Sequence, residues 1–166
     1  MTKLIVKLTS LASLTIAAAS CIQLPVGTEE VKPYQNVRYN EPQSGFTLTN
    51  EFSGDRAWIN KATGAIISYK SECSSNSPNT NVFLKNITNE FYPAKASAIS
   101  TFKYNSRKAV RQSIETEIEG IPTSFDLVVF KKYGCIFLMS HSGISKSFKK
   151  TEAIYDNFLK SFEVER

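Results

Sequence analysis

The stretch Ile114 to Leu127 reads IETEIEGIPTSFDL, two runs in which apolar and polar residues alternate on either side of a glycine. Successive side chains of a strand point to opposite faces of its sheet. With Gly120 and Ile121 as a two-residue loop, Ile118 faces Thr123, Thr116 faces Phe125 and Ile114 faces Leu127, and all of them share one face. Glu115, Glu117, Ser124 and Asp126 take the opposite face. Turn chemistry and hydrophobic pattern agree here, so this hairpin is the reference for the rest of the chain.

Working outward, Ala98 to Tyr104 and Lys108 to Glu119 read as the first two strands of a meander, Thr123 to Lys131 as the third, and Cys135 to His141 as the fourth after a turn at Lys132-Tyr133-Gly134. Upstream, Gly45 to Thr49, Ala57 to Ile59 and Ala65 to Cys73 have strand character, and Lys61-Ala62-Thr63-Gly64 supplies the turn of a hairpin. Ser77-Pro78 has the form of a helix cap followed by proline at the first helical position. Phe83, Leu84, Ile87 and Phe91 follow at helical spacing, which predicts an amphipathic helix from Pro78 to Phe91, stopped by Pro93. A closing helix is expected from Ser147 to Ser161, with Phe148, Tyr155, Phe158, Leu159 and Phe162 on one face. The 11 Phe and 7 Tyr favour an aromatic core built on a sheet. The expected class is α+β, an antiparallel sheet of about six to seven strands with two main helices packed on it.

This order of elements, the turn around Gly120 and the closing helix ending in Ser161-Phe162 resemble the PsbP-like fold. The resemblance spans Gly45 to Phe162. The fold is named after an extrinsic subunit of the photosynthetic oxygen-evolving complex and includes many small bacterial lipoproteins. It implies an architecture and no particular functional residue, and cystatin-like or other helix-on-sheet folds are the alternatives.

The first twenty residues carry a different signal. Lys3 and Lys7 precede an apolar run from Leu8 to Ala19 that ends in small residues, the order of a secretory signal peptide. The run is too short for a mature membrane span. Ala18-Ala19-Ser20-Cys21 resembles the lipobox of bacterial lipoproteins, departing from it at Ala18, where Leu is commonest. The resemblance implies cleavage before Cys21 and a diacylglyceryl group on its thiol, with two or three acyl chains in the mature protein. The alternative is ordinary cleavage after Ser20 without lipid. By analogy with enteric bacteria, Ile22 in place of Asp favours the outer over the inner membrane. Residues 21–43, with Pro25, Gly27, Pro33 and Pro42 and no periodicity, read as the lipidated cysteine and a flexible tether. Residues 44–166 then form one α+β domain.

With Cys21 assigned to lipid, Cys73 and Cys135 remain as an even pair in an oxidising compartment, which favours a disulfide. It would close a loop of about 60 residues, worth roughly 4 kcal/mol. Glu115, Glu117 and Glu119 line one strand face, with Asp126 placed across from Glu115. Clustered carboxylates suit Ca²⁺, so Glu115, Glu117 and Asp126 are the metal candidates, weighed against a solvated strand face paired with Lys103 or Lys70. His141 is the only histidine. It lies at an even offset from Cys135, so a Cys–His pair is geometrically open if that thiol is free. Lys131, Lys132, Lys146, Lys149 and Lys150 fall close together in sequence and could meet an anionic membrane surface.

A net charge of +5 with scattered basic residues does not make a nucleic-acid footprint. No phosphate-cradling, nucleophile-elbow or zinc-protease motif occurs. The expected function is therefore a membrane-anchored envelope lipoprotein without catalysis or cofactor, an interaction or accessory module whose partners are the membrane, through Cys21, and another envelope protein. The alternative is a periplasmic protein that binds a small ligand or Ca²⁺.

Overall fold

The computed structural model describes residues 32–52 and 54–166. The signal peptide, Cys21 and the first half of the expected tether lie outside them. The elements run β1 (Val37–Arg38), β2 (Phe46–Thr49), β3 (Arg56–Asn60), β4 (Ala65–Cys73), α1 (Thr80–Glu90), β5 (Ala94–Ala96), β6 (Ser100–Tyr104), β7 (Arg107–Ile118), β8 (Ile121–Lys132), β9 (Cys135–Ile144), α2 (Ser145–Ser161) and β10 (Glu163–Val164). The main sheet has 8 strands in the order β2-β3-β4-β9-β8-β7-β5, with β6 also paired to β7. All its pairings are antiparallel. The class is α+β, as expected.

The two helices cover opposite faces. Phe83, Leu84 and Ile87 of α1 pack with Val110, Ile114, Phe125, Leu127, Val129 and Leu138. Tyr155, Phe158 and Leu159 of α2 pack on the other face with Trp58, Ile67, Tyr69, Phe130, Phe137 and Met139. Strand β8 is consequently buried without interruption from Ser124 to Phe130. Its sequence there is SFDLVVF, a nearly continuous apolar run, as a strand covered on both faces requires.

The meander's hairpins close through two-residue turns. Asn105-Ser106, Glu119-Gly120 and Tyr133-Gly134 each have positive φ at both positions, the geometry that matches strand twist. The central hairpin accordingly pairs Ile118 with Ile121, Thr116 with Thr123, Ile114 with Phe125 and Gln112 with Leu127. This corrects the expected register by two residues. Placing Gly120 and Ile121 in the loop would demand positive φ of a β-branched side chain, which is sterically costly. Glu119 takes that position instead, at φ 51°. A slip of two preserves faces, so Ile114, Phe125 and Leu127 still point into the core.

The chain upstream of Ser44 is not all tether. Lys32 bridges to Cys73, Tyr34 N–H donates to Ser71 Oγ at 2.8 Å, and Val37 pairs with Val164. Tyr39 stacks on Phe162 at 5.8 Å and meets Trp58, Tyr69 and Phe158 edge-on. The folded part therefore starts by Lys32, not near Ser44. Two further departures concern ends. The side chain of Asn79 caps α1 by accepting from Asn81 N–H at 2.9 Å, so Ser77-Pro78 lies outside the helix. Past Pro93, Ala94–Ala96 returns as a short edge strand on β7.

Cys73 and Cys135 are direct cross-strand partners on β4 and β9. They form a disulfide with Cα atoms 4.0 Å apart. Two measurements test this arrangement. Thiol titration of the denatured, unreduced protein should find neither Cys73 nor Cys135 free, and replacing both by alanine should cost about 2–5 kcal/mol in urea unfolding. Tyr39→Ala should cost about 2–4 kcal/mol through the lost aromatic packing, whereas a tether residue would leave stability unchanged.

Candidate functional site

Polar side chains gather between the sheet and α2, where β7, β8 and β9 each contribute one. Arg111 on β7 reaches diagonally to Asp126 on β8, its Nε donating to both carboxylate oxygens at 2.9 and 3.0 Å. Its Nη2 also donates to Asp156 of α2 at 3.0 Å. The guanidinium carbon sits 5.9 Å from the centre of the Tyr155 ring. The Asp126 side chain is only 5% exposed, and a carboxylate so buried needs a bound cation to stay charged. Arg111 supplies it, and its own pKa is pushed up, chiefly by the hydrogen bond to Asp126.

His141 is the register partner of Asp126 on β9 and is 0% exposed. Its ring stacks on Phe148 at 4.2 Å and on Tyr155 at 5.3 Å. The Thr151 hydroxyl donates to Phe148 O at 3.1 Å, so in its 2.8 Å contact with His141 the ring Nε2–H is the donor. Nδ1 is left as a bare acceptor without a partner. Burial lowers the His141 pKa from 6.5 to about 4; the Asp156 charge opposes this and the Arg111 charge adds to it. The ring is neutral at pH 7.

This seam opens into a groove of about 620 Å³ along the C-terminal end of α2. Arg111 and Asp156 line it together with the apolar Phe102, Tyr104 and Phe162, and its charged lining is mixed, Lys103, Lys132 and Lys160 with Glu163 and Glu165. Tyr104 Oη donates to Leu159 O at 2.7 Å, and Asn105 Nδ2 donates to Phe162 O at 2.9 Å, fixing the hairpin between β6 and β7 against the end of the helix.

The metal candidates are not assembled. The register sets Asp126 opposite Ser113 and Glu115 opposite Ser124. Glu115 and Glu117 lie toward the hairpin tip, and Glu115 approaches Lys95 at 3.8 Å. Asp126 is occupied by Arg111, a cation where a metal would sit. Among the described residues no group of three or more His, Cys, Asp or Glu could hold a metal ion. Cys135 and His141 share a face, but the disulfide removes the thiol a Cys–His pair would need. The lysine group divides between the two ends of the molecule: Lys131 and Lys132 end β8 beside the disulfide, while Lys146, Lys149 and Lys150 begin α2 at the opposite end. The Arg111–Asp126–Asp156 cluster joins residues far apart in sequence. Its one sequence signal is an aspartate inside the apolar run SFDLVVF, which calls for a buried cation without saying which.

No protein-family model and no curated protein sequence matches the chain. Solved structures do match in fold. LpqN of Mycobacterium tuberculosis, described as involved in cell envelope biogenesis, superposes with a TM-score of 0.63 at 10% identity, over 84% of this chain and 87% of that one. The cyanobacterial PsbP of Synechocystis sp. PCC 6803 superposes with a TM-score of 0.54 at 12% identity, over 85% and 96%. The chain thus shares its fold with PsbP-like structures.

The seam generates two predictions. Arg111→Met should destabilise the protein by about 3 kcal/mol, because Asp126 is left buried and unpaired, and Arg111→Met with Asp126→Leu should recover at least half of that loss in urea unfolding. His141 gives an acid dependence. Its folded pKa lies below its unfolded one, so stability is complete above pH 6.5 and falls as the unfolded chain takes up a proton that the folded chain refuses. The decline should run from pH 6.5 to about 4 and amount to about 3 kcal/mol. Denaturation midpoints across that range should flatten in His141→Gln; an unchanged slope would place the acid sensitivity elsewhere.

Proposed function

We propose that this chain is a lipid-anchored protein of a bacterial cell envelope, serving there as a non-catalytic interaction or accessory module. The observation that carries the reading is Ala18-Ala19-Ser20-Cys21 at the end of a charged and then apolar leader. The diacylglyceryl group goes on the Cys21 thiol, and two or three acyl chains make the attachment stable where a single chain is marginal. The disulfide supports an oxidising compartment. Among the described residues no helix is long and apolar enough to cross a membrane. The structural neighbour LpqN is itself described as acting in cell envelope biogenesis. Ile22 favours the outer membrane.

The groove along α2 supports a second reading, a binder of a small ligand, because it combines apolar rings with charged groups of both signs. The lipoprotein reading requires the mature N-terminus to be Cys21 carrying acyl chains, visible as an added mass on the N-terminal peptide. Cys21→Ala should move the protein from the detergent phase to the aqueous phase. An unmodified N-terminus on a soluble mature protein would overturn the anchor and the localisation together.

A further inference from the structure

We infer that the disulfide end of the sheet rests on an anionic lipid surface, through the hairpin between β6 and β7 and the turn between β8 and β9. The inference builds on the lipidation of Cys21 and adds an orientation to it.

The chain joins the fold at that end, where Lys32 bridges to Cys73. Between Cys21 and Lys32 lie roughly ten residues, which reach no more than about 35 Å when extended. The strands β4, β9, β8, β7 and β6 lie side by side, so the whole basic edge falls within about 20 Å of that point at about 4.8 Å per strand. A lipid at Cys21 therefore keeps this end near the bilayer.

The chemistry of the end fits the surface it would meet. Lys103 and Lys108 are direct cross-strand partners. Like charges in that position repel, and none of Lys103, Arg107 or Lys108 takes part in an ion pair among the described residues. Lys131 and Lys132 donate to the neutral carbonyls of Ser77 and Val164 at 2.8 and 2.7 Å, which position their charge without cancelling it. Of the acids toward this end, Glu163 and Glu165 share Arg38, Glu72 beside Cys73 is paired with Lys70, and Asp55 accepts from Ser71 N–H. Two aromatic rings stand among the cations, Phe102 at 36% and Tyr133 at 43% exposure, and such rings favour the headgroup layer of a bilayer. Each basic residue near an anionic surface adds to the partition, and salt weakens the effect.

The test uses residues 21–166 with Cys21→Ser, the chain after removal of its leader, so that neither acyl group nor leader contributes, sedimented with vesicles of phosphatidylcholine alone or mixed three to one with phosphatidylglycerol. Binding should require the anionic lipid and fade with added salt. Lys103→Glu with Lys108→Glu should weaken it at least about twentyfold. Lys149→Glu with Lys150→Glu, an equal charge change at the far end of the molecule, should stay within about threefold of the parent. Equal losses from both pairs, or no preference for anionic vesicles, would overturn the orientation. Neither result bears on the acyl mass at Cys21, which tests the lipidation separately.

Discussion

The sheet is covered on both faces, and most other features answer to that constraint. Strands β8 and β9 lie at its centre with α1 on one side and α2 on the other, so neither can follow the simple alternation of a half-solvated strand. Their side chains are mostly apolar in both directions, and a polar group among them can be paired only inside the fold. Asp126 finds Arg111, and His141 finds Thr151 through Nε2 while its Nδ1 stays unpaired. The seam under α2 thus follows from putting ionisable residues into strands that have no wet face. It also joins the helix to the sheet by directed bonds where aromatic packing alone would leave orientation less determined. Arg111 touches Asp126 from the sheet and Asp156 from the helix at once.

The parts of this arrangement visible in the sequence are those governed by local periodicity. Ile114, Phe125 and Leu127 announced their face correctly, and α2 was marked by Tyr155, Phe158 and Leu159 at helical spacing. Period alone cannot tell a slip of two from the true hairpin pairing; only the φ requirement of the turn separates Glu119-Gly120 from Gly120-Ile121. Tyr39 looks like tether in the sequence because its neighbours Pro33 and Pro42 resemble linker and its contacts, Phe162 above all, lie far along the chain. Arg111 and Asp156 were invisible for the same reason. A charged residue on a strand or a helix surface looks solvated until the fold shows what faces it. Cys73 and Cys135 could be paired by elimination, but nothing local placed them opposite each other.

The likeness to LpqN and to the cyanobacterial PsbP extends over most of each chain at 10–12% identity. At that distance what is shared is the layering and the strand order. The particular residues that fill the layers belong to this protein. The seam around Arg111, the groove beside α2 and the paired lysines of the β6–β7 hairpin are therefore to be judged on their own chemistry, because a common scaffold carries many different sites.

The junction at Lys32 also sets how the domain would bear a load. Tension on the chain upstream of this residue enters the fold at β4, where Lys32 meets Cys73. Lys32 is held there by a hydrogen bond from Cys73 N–H at 3.1 Å, beside the covalent link from Cys73 to Cys135 of β9. While that contact holds, part of the pull is borne by β4 and β9; the covalent chain itself continues through β1 to the edge strand β2. Tyr39 and Val37, just downstream, clamp the same segment to Phe162 and Val164. A domain held by these contacts resists being peeled from its own tether, because the first hold on the incoming chain sits on a strand that the disulfide locks to its neighbour.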